Sequence, residues 1–292
     1  MQTELSFESY LNKLKHTPRT IKSYLYTVEC FLSACPKAAL FNYKQVTAHV
    51  GEMKSQYKNA RTVIAFLAGI KKYYDYLIEA GIREDHPCRT LFIRGSNRNR
   101  GVIHADLFSS GELELLLDRE ERYPELKLKN QALISLLIYQ GLAPHEITNL
   151  KTHHVNLDLG TIYVKESRTL AKRHLEIVPK QYRILDRYLT DSREELISTD
   201  TDVFLVGKLG TPITVDDSHY IVSTYKGLFP DRNLTPMSIR QSVIANWLNE
   251  KNLPLEQVQL LAGHRWVSTT QRYRQNNHLE QRELINKWHP LE

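Results

Sequence analysis

Apolar residues in the first eighty positions recur at helical spacing. Phe7, Tyr10, Leu11 and Leu14 share one face, and Ile21, Tyr24, Leu25, Val28 and Phe31 share another after a start at Thr17-Pro18. The same reading predicts helices from Tyr43 to Tyr57 and from Ala60 to Ala80. The second carries Val63, Phe66, Leu67, Ile70, Tyr73, Tyr74 and Leu77 on a broad apolar face, and Gly81 supplies a stop. The pattern then breaks. Residues 94 to 102 are polar, contain two glycines and carry Arg94, Arg98 and Arg100, which is linker composition.

Beyond the linker, Ser109-Ser110-Gly111-Glu112 has the form of a capping box opening a helix with Leu113, Leu115, Leu116 and Leu117. A Leu- and Ile-rich helix is expected from Asn130 to Tyr139, stopping at Gly141. Between Leu157 and Pro179 the character changes to short β-type runs. Thr161 to Val164 and Leu175 to Val178 flank a basic turn region containing Arg168, Lys172 and Arg173, so a small antiparallel sheet is expected. The rest reads as helix, down to a final segment from His278 to Trp288. No internal repeat or low-complexity tract is present.

Composition changes this picture little, and charge changes it more. The 292 residues suffice for two domains with separate cores. No run approaches the roughly 18 apolar residues of a membrane span, and the N-terminus has no signal-peptide pattern, so a cytoplasmic protein is expected. Cys30, Cys35 and Cys88 cannot all pair with one another and read as reduced thiols. Residues 1 to 100 hold 16 Lys and Arg against 8 Asp and Glu, leaving 23 against 25 for the remainder. A basic surface concentrated in one domain suits a polyanion, since counterion release drives most non-specific DNA affinity.

The sharpest chemistry lies between Thr235 and Tyr273. Thr235-Pro236-Met237-Ser238-Ile239-Arg240 opens a helix; Leu261-Ala262-Gly263-His264 closes another; Ser268-Thr269-Thr270 precedes Tyr273, nine residues after the histidine. This run resembles the C-terminal signature of the tyrosine recombinases, the phage-integrase and Xer-type family. The resemblance is looser over Phe7 to Leu11, Thr20 to Tyr24, Ile70 to Tyr74 and His86-Pro87, which are similar to the family's core-binding domain. An unrelated four-helix bundle remains an alternative for that segment alone.

The resemblance implies a mainly α fold with a small antiparallel β-sheet. A helical, SAM-like core-binding domain would span 1–93, a basic linker 94–105, and an α+β catalytic-type domain with a C-terminal tail helix 106–292. It implies double-stranded DNA as partner and a homo-oligomer on DNA, formed as Leu284, Ile285 and Trp288 of the tail dock onto a neighbouring copy. The implied activity is site-specific recombination or integration through a 3′-phosphotyrosyl link, with neither cofactor nor metal. Tyr273 then matches the nucleophile, Arg240 a phosphate-clamping arginine, and His264 a donor to a non-bridging oxygen. Lys71, Lys72, Arg94, Arg98, Arg100 and Arg168 are candidate DNA contacts.

Three departures make the catalytic set degenerate. The family's Gly-Leu-Arg-x-x-Glu appears here as Gly141-Leu142-Ala143-Pro144-His145-Glu146, so one preorganised cation is missing. Met237 and Gln241 stand where histidine or lysine is common. The family's hairpin lysine has no unambiguous counterpart; counting from Gly160 reaches Ser167, and Lys172, then Arg168, are the candidates for acid to the leaving hydroxyl. His145 is a candidate stand-in for the missing cation. His145, His153 and His154 lack the carboxylates of a metal site. Two readings stay open: a recombinase that cuts, favoured by retention of Arg240, His264 and Tyr273, and a non-cutting accessory or regulatory DNA-binding protein, favoured by Ala143 and Met237. RNA binding lacks a stacking motif.

Overall fold

The computed structural model describes residues 6–93 and 106–274. The chain divides into two compact units, Met1–Asn99 and Arg100–Glu292.

Among the described residues the first unit contains four α-helices: α1 (Phe7–Lys13), α2 (Pro18–Ala34), α3 (Tyr43–Gln56) and α4 (Ala60–Glu79). Each starts where a short polar side chain takes a free backbone N–H: Ser6, Thr17, Asn42 and Asn59 accept from Ser9, Thr20, Gln45 and Arg61. Most of the apolar face read for α4 meets Val28 and Phe31 of α2 and Val46, Val50 and Met53 of α3 in one core, whereas Tyr10, Leu11 and Ile21 form a second cluster and Leu14 is exposed. The buried Tyr74 hydroxyl donates to Ala38 O at 2.8 Å. Helices α2 and α4 approach closely at Gly69, where a Cβ would lie 2.6 Å from Thr27 Cγ2.

The second unit runs α5 (Ser110–Glu114), α6 (Lys127–Gln140), α7 (Pro144–Thr148), β1 (Val155–Asn156), β2 (Thr161–Val164), β3 (Arg173–Glu176), α8 (Pro179–Arg187), α9 (Glu194–Leu196), α10 (Val215–Ser223), α11 (Pro236–Asn249), α12 (Leu255–Ala262) and α13 (Val267–Gln271). Helices α6 and α11 are buried on nearly every side and pack against one another, as expected of helices through the centre of a domain. The sheet is antiparallel in the order β1-β2-β3, with Ile162 opposite Leu175 and Val164 opposite Arg173.

Three expected boundaries move. The capping box at Ser109 forms, but the helix ends at Glu114, and Leu115–Leu117 make one 3₁₀ turn. Helix α6 begins at Lys127 rather than Asn130. Strand β3 runs from Arg173 to Glu176 instead of Leu175 to Val178, because Pro179 is the first residue of α8 and Val178 is its extended cap. The expected linker, with Arg94, Arg98 and Arg100, and the expected tail segment from His278 to Trp288 lie outside the described residues. Among the described residues no helix is long and apolar enough to cross a membrane, and no group of His, Cys, Asp or Glu is arranged to hold a metal ion.

Candidate active site

Arg240 sits in the second turn of α11, a helix fixed at its start by Thr235, whose side chain accepts from Ser238 N at 3.0 Å. Its side chain is buried, with the residue 4% exposed. One guanidinium nitrogen donates to Gly141 O and the other to Ala262 O, the latter at 2.6 Å. Both carbonyls stand at helix C-termini, Gly141 capping α6 and Ala262 ending α12. Both helices leave through a left-handed glycine, Gly141 at φ +57° and Gly263 at φ +69°. Unpaired carbonyls and the negative ends of two helix dipoles therefore hold the cation in place.

Position 143 lies beside this arginine. Ala143 is buried, and its N–H donates to Glu146 Oε2 at 2.9 Å. Glu146 also takes both terminal nitrogens of Arg173, at 2.6 and 3.1 Å, and lies 3.6 Å from Arg240 Nη1. Burial acts to raise the Glu146 pKa, but the Arg173 hydrogen bonds and the two positive charges overcome it and hold the carboxylate ionised, below its ordinary range. Arg173 reaches inward from β3, opposite Val164. Its Nη1 lies so close to the Gly263 turn that a Cβ there would sit 2.5 Å away.

His264 follows that turn and is 8% exposed. Its Nδ1 lies 2.9 Å from the hydroxyl of the fully buried Thr270. Burial, then the charges of Arg240 and Arg173, lower its pKa to about 4, so the ring is neutral at pH 7. Where Thr270 donates to Nδ1, the ring proton resides on Nε2 as a free donor. The Tyr273 ring stacks on His264 with centroids 6.0 Å apart and planes 19° from parallel. Tyr273 N donates to Thr270 O, and Tyr273 O accepts from Asn249 Nδ2, both at 3.0 Å. Burial raises the phenol pKa, while Arg240 and Gln241 pull it down.

Of the sequence candidates, Arg240, His264 and Tyr273 thus come together. Lys172 is exposed on the rim of a cleft of about 280 Å³ whose walls include Arg173, Gln259, Gly263 and His264. Arg168 is exposed at the hairpin tip. The tip is tied to the histidine turn: Ala171 N donates to Gly263 O at 2.8 Å, Leu170 bridges to His264, and Arg265 Nη2 donates to Ser167 O. His145 lines a different cleft, with Lys151, His153, His154 and Lys165. In the first unit Lys71 donates to Arg89 O and Lys72 pairs with Asp75, both at 2.9 Å. Met237 is exposed. Sequence reading missed Arg173, placed in the turn region, and Glu146 and Thr270, to which it gave no role. Alternation along β3 was the available signal, since an inward Leu175 implies an inward Arg173.

The chain is similar to tyrosine recombinases over most of its length. It is 27% identical to tyrosine recombinase XerC of Halalkalibacterium halodurans, covering 98% of this chain and 96% of the relative. It is 26% identical to tyrosine recombinase XerD of Oceanobacillus iheyensis, covering 82% and 79%. Its fold is similar to that of the XerH site-specific recombinase in a post-cleavage complex with a palindromic difH substrate, at TM-score 0.71 and 18% identity over 91% of this chain and 78% of that one. The phage integrase family model matches residues 107–280, which hold every side chain of the cluster just described, and the chain belongs to that family.

Proposed function

We propose that this protein carries out site-specific DNA recombination, cutting and rejoining strands through a 3′-phosphotyrosyl intermediate. The observation that carries this reading is the convergence of Arg240, His264 and Tyr273 in one buried cluster. The Tyr273 oxygen attacks the scissile phosphorus and its proton leaves; the bond to the 5′ oxygen breaks and that oxygen departs as a hydroxyl. Attack by the 5′-hydroxyl of another strand reverses the sequence and frees the tyrosine. Each step exchanges one phosphodiester for another, so no external energy source is consumed. Arg240, held rigid before substrate arrives, and a neutral His264 with a free Nε2–H stabilise charge on the phosphate oxygens. Lys172, then Arg168, on the hairpin beside His264 are assigned the proton for the leaving oxygen.

Duplex DNA is the partner. The basic first unit and the arginines of the expected linker, Arg94, Arg98 and Arg100, are assigned to phosphates, as are Lys71 and Lys72. Exchange of strands between two sites needs more than one active subunit, and docking of the tail onto a second copy is assigned that assembly. Such a protein works in the cytoplasm. A second, non-cutting reading is favoured by one observation, the methyl group at position 143 where the family has a cation.

Covalent trapping separates the two. Nicked duplexes from the protein's genomic neighbourhood are expected to yield a denaturation-resistant adduct with the wild-type protein and none with Tyr273→Phe. Salt-sensitive binding to the same duplexes without an adduct would leave the non-cutting reading.

A further inference from the structure

We propose that Arg173 supplies the phosphate contact that Ala143 cannot make, its guanidinium entering the site from β3 rather than from the start of α7. The inference rests on the recombinase reading above.

Glu146 is the acidic residue of the motif whose arginine is absent here, and it is intact and buried. Its two oxygens hold the Arg173 nitrogens at 2.6 and 3.1 Å. The same carboxylate lies 3.6 Å from Arg240. A cation delivered by a strand therefore joins Arg240 through one shared carboxylate, beside the residue whose side chain has been lost.

The charge of the cluster points to an anion. Two arginines, one carboxylate and a neutral imidazole leave one positive charge in excess, in side chains of Arg173, Arg240 and Glu146 that are each at least 95% buried. An uncompensated buried charge is costly, and a phosphodiester of charge −1 cancels it. Arg173 Nε is also buried without a hydrogen-bond partner. A buried donor with no acceptor is uncommon, and a phosphate oxygen admitted to the cluster would satisfy it.

Position is fixed as well. Val164 pairs with Arg173 across the sheet, Ala171 N is bonded to Gly263 O, and the absence of a side chain at Gly263 leaves room for the guanidinium against the turn that presents His264. A cation so held meets the requirement for stabilising transition-state charge without reorganisation. A purely structural arginine, present only to neutralise Glu146, would share the ion pair but would touch no DNA.

The test uses full-length Arg173→Gln, Arg173→Lys and the double variant Arg173→Gln with Ala143→Arg, each shown to be folded by a cooperative thermal transition. Arg173→Gln is expected to slow adduct formation on a nicked duplex by about 100-fold or more, the cost of removing one preorganised donor. It should also lower the slope of log affinity against log salt by about 0.9, one phosphate contact. Arg173→Lys, which retains the charge opposite Glu146, is expected to keep the salt slope and recover only part of the rate. Returning the arginine to position 143 is expected to restore at least about tenfold of the lost rate. A folded Arg173→Gln with wild-type rate and wild-type salt slope overturns the proposal, and so does a double variant no faster than the single one. If Arg173→Gln does not fold, Arg173→Lys and Ala143→Arg in the wild-type background decide by the same two readouts. If the wild-type protein forms no adduct, the strand-cleavage reading fails on its own, and the salt slope alone supports or overturns the Arg173 contact.

Discussion

His264 shows how residues distant in sequence set one another's chemistry. Its pKa of about 4 results from burial first and from Arg240 and Arg173 second. Between that value and 6.5 the unfolded chain binds more protons than the folded one, so stability rises with pH across the window. The contribution is complete above about pH 6.5 and is lost as pH falls toward 4, on the order of 3 kcal/mol in all. Glu146, held below its ordinary pKa, adds a second loss at lower pH. His264→Gln, which can still hydrogen-bond to Thr270, is expected to flatten the pH 4 to 6.5 part of the profile and leave the steeper acid limb intact. Urea midpoints measured at half-unit pH steps would show it. Of the four catalytic candidates read from the sequence, the three that come together, Arg240, His264 and Tyr273, belong to short, local patterns, whereas Lys172 stays exposed on the rim. Arg173 was not legible, because its role depends on a carboxylate 27 residues away.

At the level of elements, start and stop signals proved more reliable than hydrophobic runs. Thr17, Ser109 and Thr235 all accept the hydrogen bonds their positions promised. The runs misled where two patterns competed. Leu175 to Val178 reads as a strand by composition, yet Pro179 commits Val178 to capping α8, and the ladder extends backward to Arg173 instead. Helix crossings show a similar gap. Gly69 is unremarkable within an apolar stretch, but it is where α4 meets Thr27 of α2. Gly69→Val places carbon atoms inside that contact and is expected to cost about 1–3 kcal/mol through overpacking. The thermal transition of the full-length protein should fall, while a comparable change at Gly51, with nothing within 4 Å of its Cβ position, should alter it far less.

For the whole molecule, charge and connectivity carry the functional expectations. The excess of Lys and Arg in the first hundred residues belongs to one compact unit and the chemical cluster to the other. Replacing Arg94, Arg98 and Arg100 together by alanine is expected to lower the slope of log DNA affinity against log salt by about 0.9 for each arginine on a phosphate. Titrations between 50 and 200 mM salt would measure it, and an unchanged slope would remove these residues from the interface.

By itself the sequence determined the helical character, several helix starts, the presence of a small antiparallel sheet, and the spacing of Arg240, His264 and Tyr273 that marks the family. These follow from periodicity, capping and short motifs, all of which act over a few residues. Only the tertiary structure decided that Glu146 serves two arginines, that Thr270 orients His264, and that one of the two guanidiniums on Glu146 comes from β3. Those outcomes depend on ladder register and on close approach at Gly263, where elements far apart in the chain compete for one buried volume. Local preference cannot rank such arrangements; packing and the cost of an unpaired buried charge can.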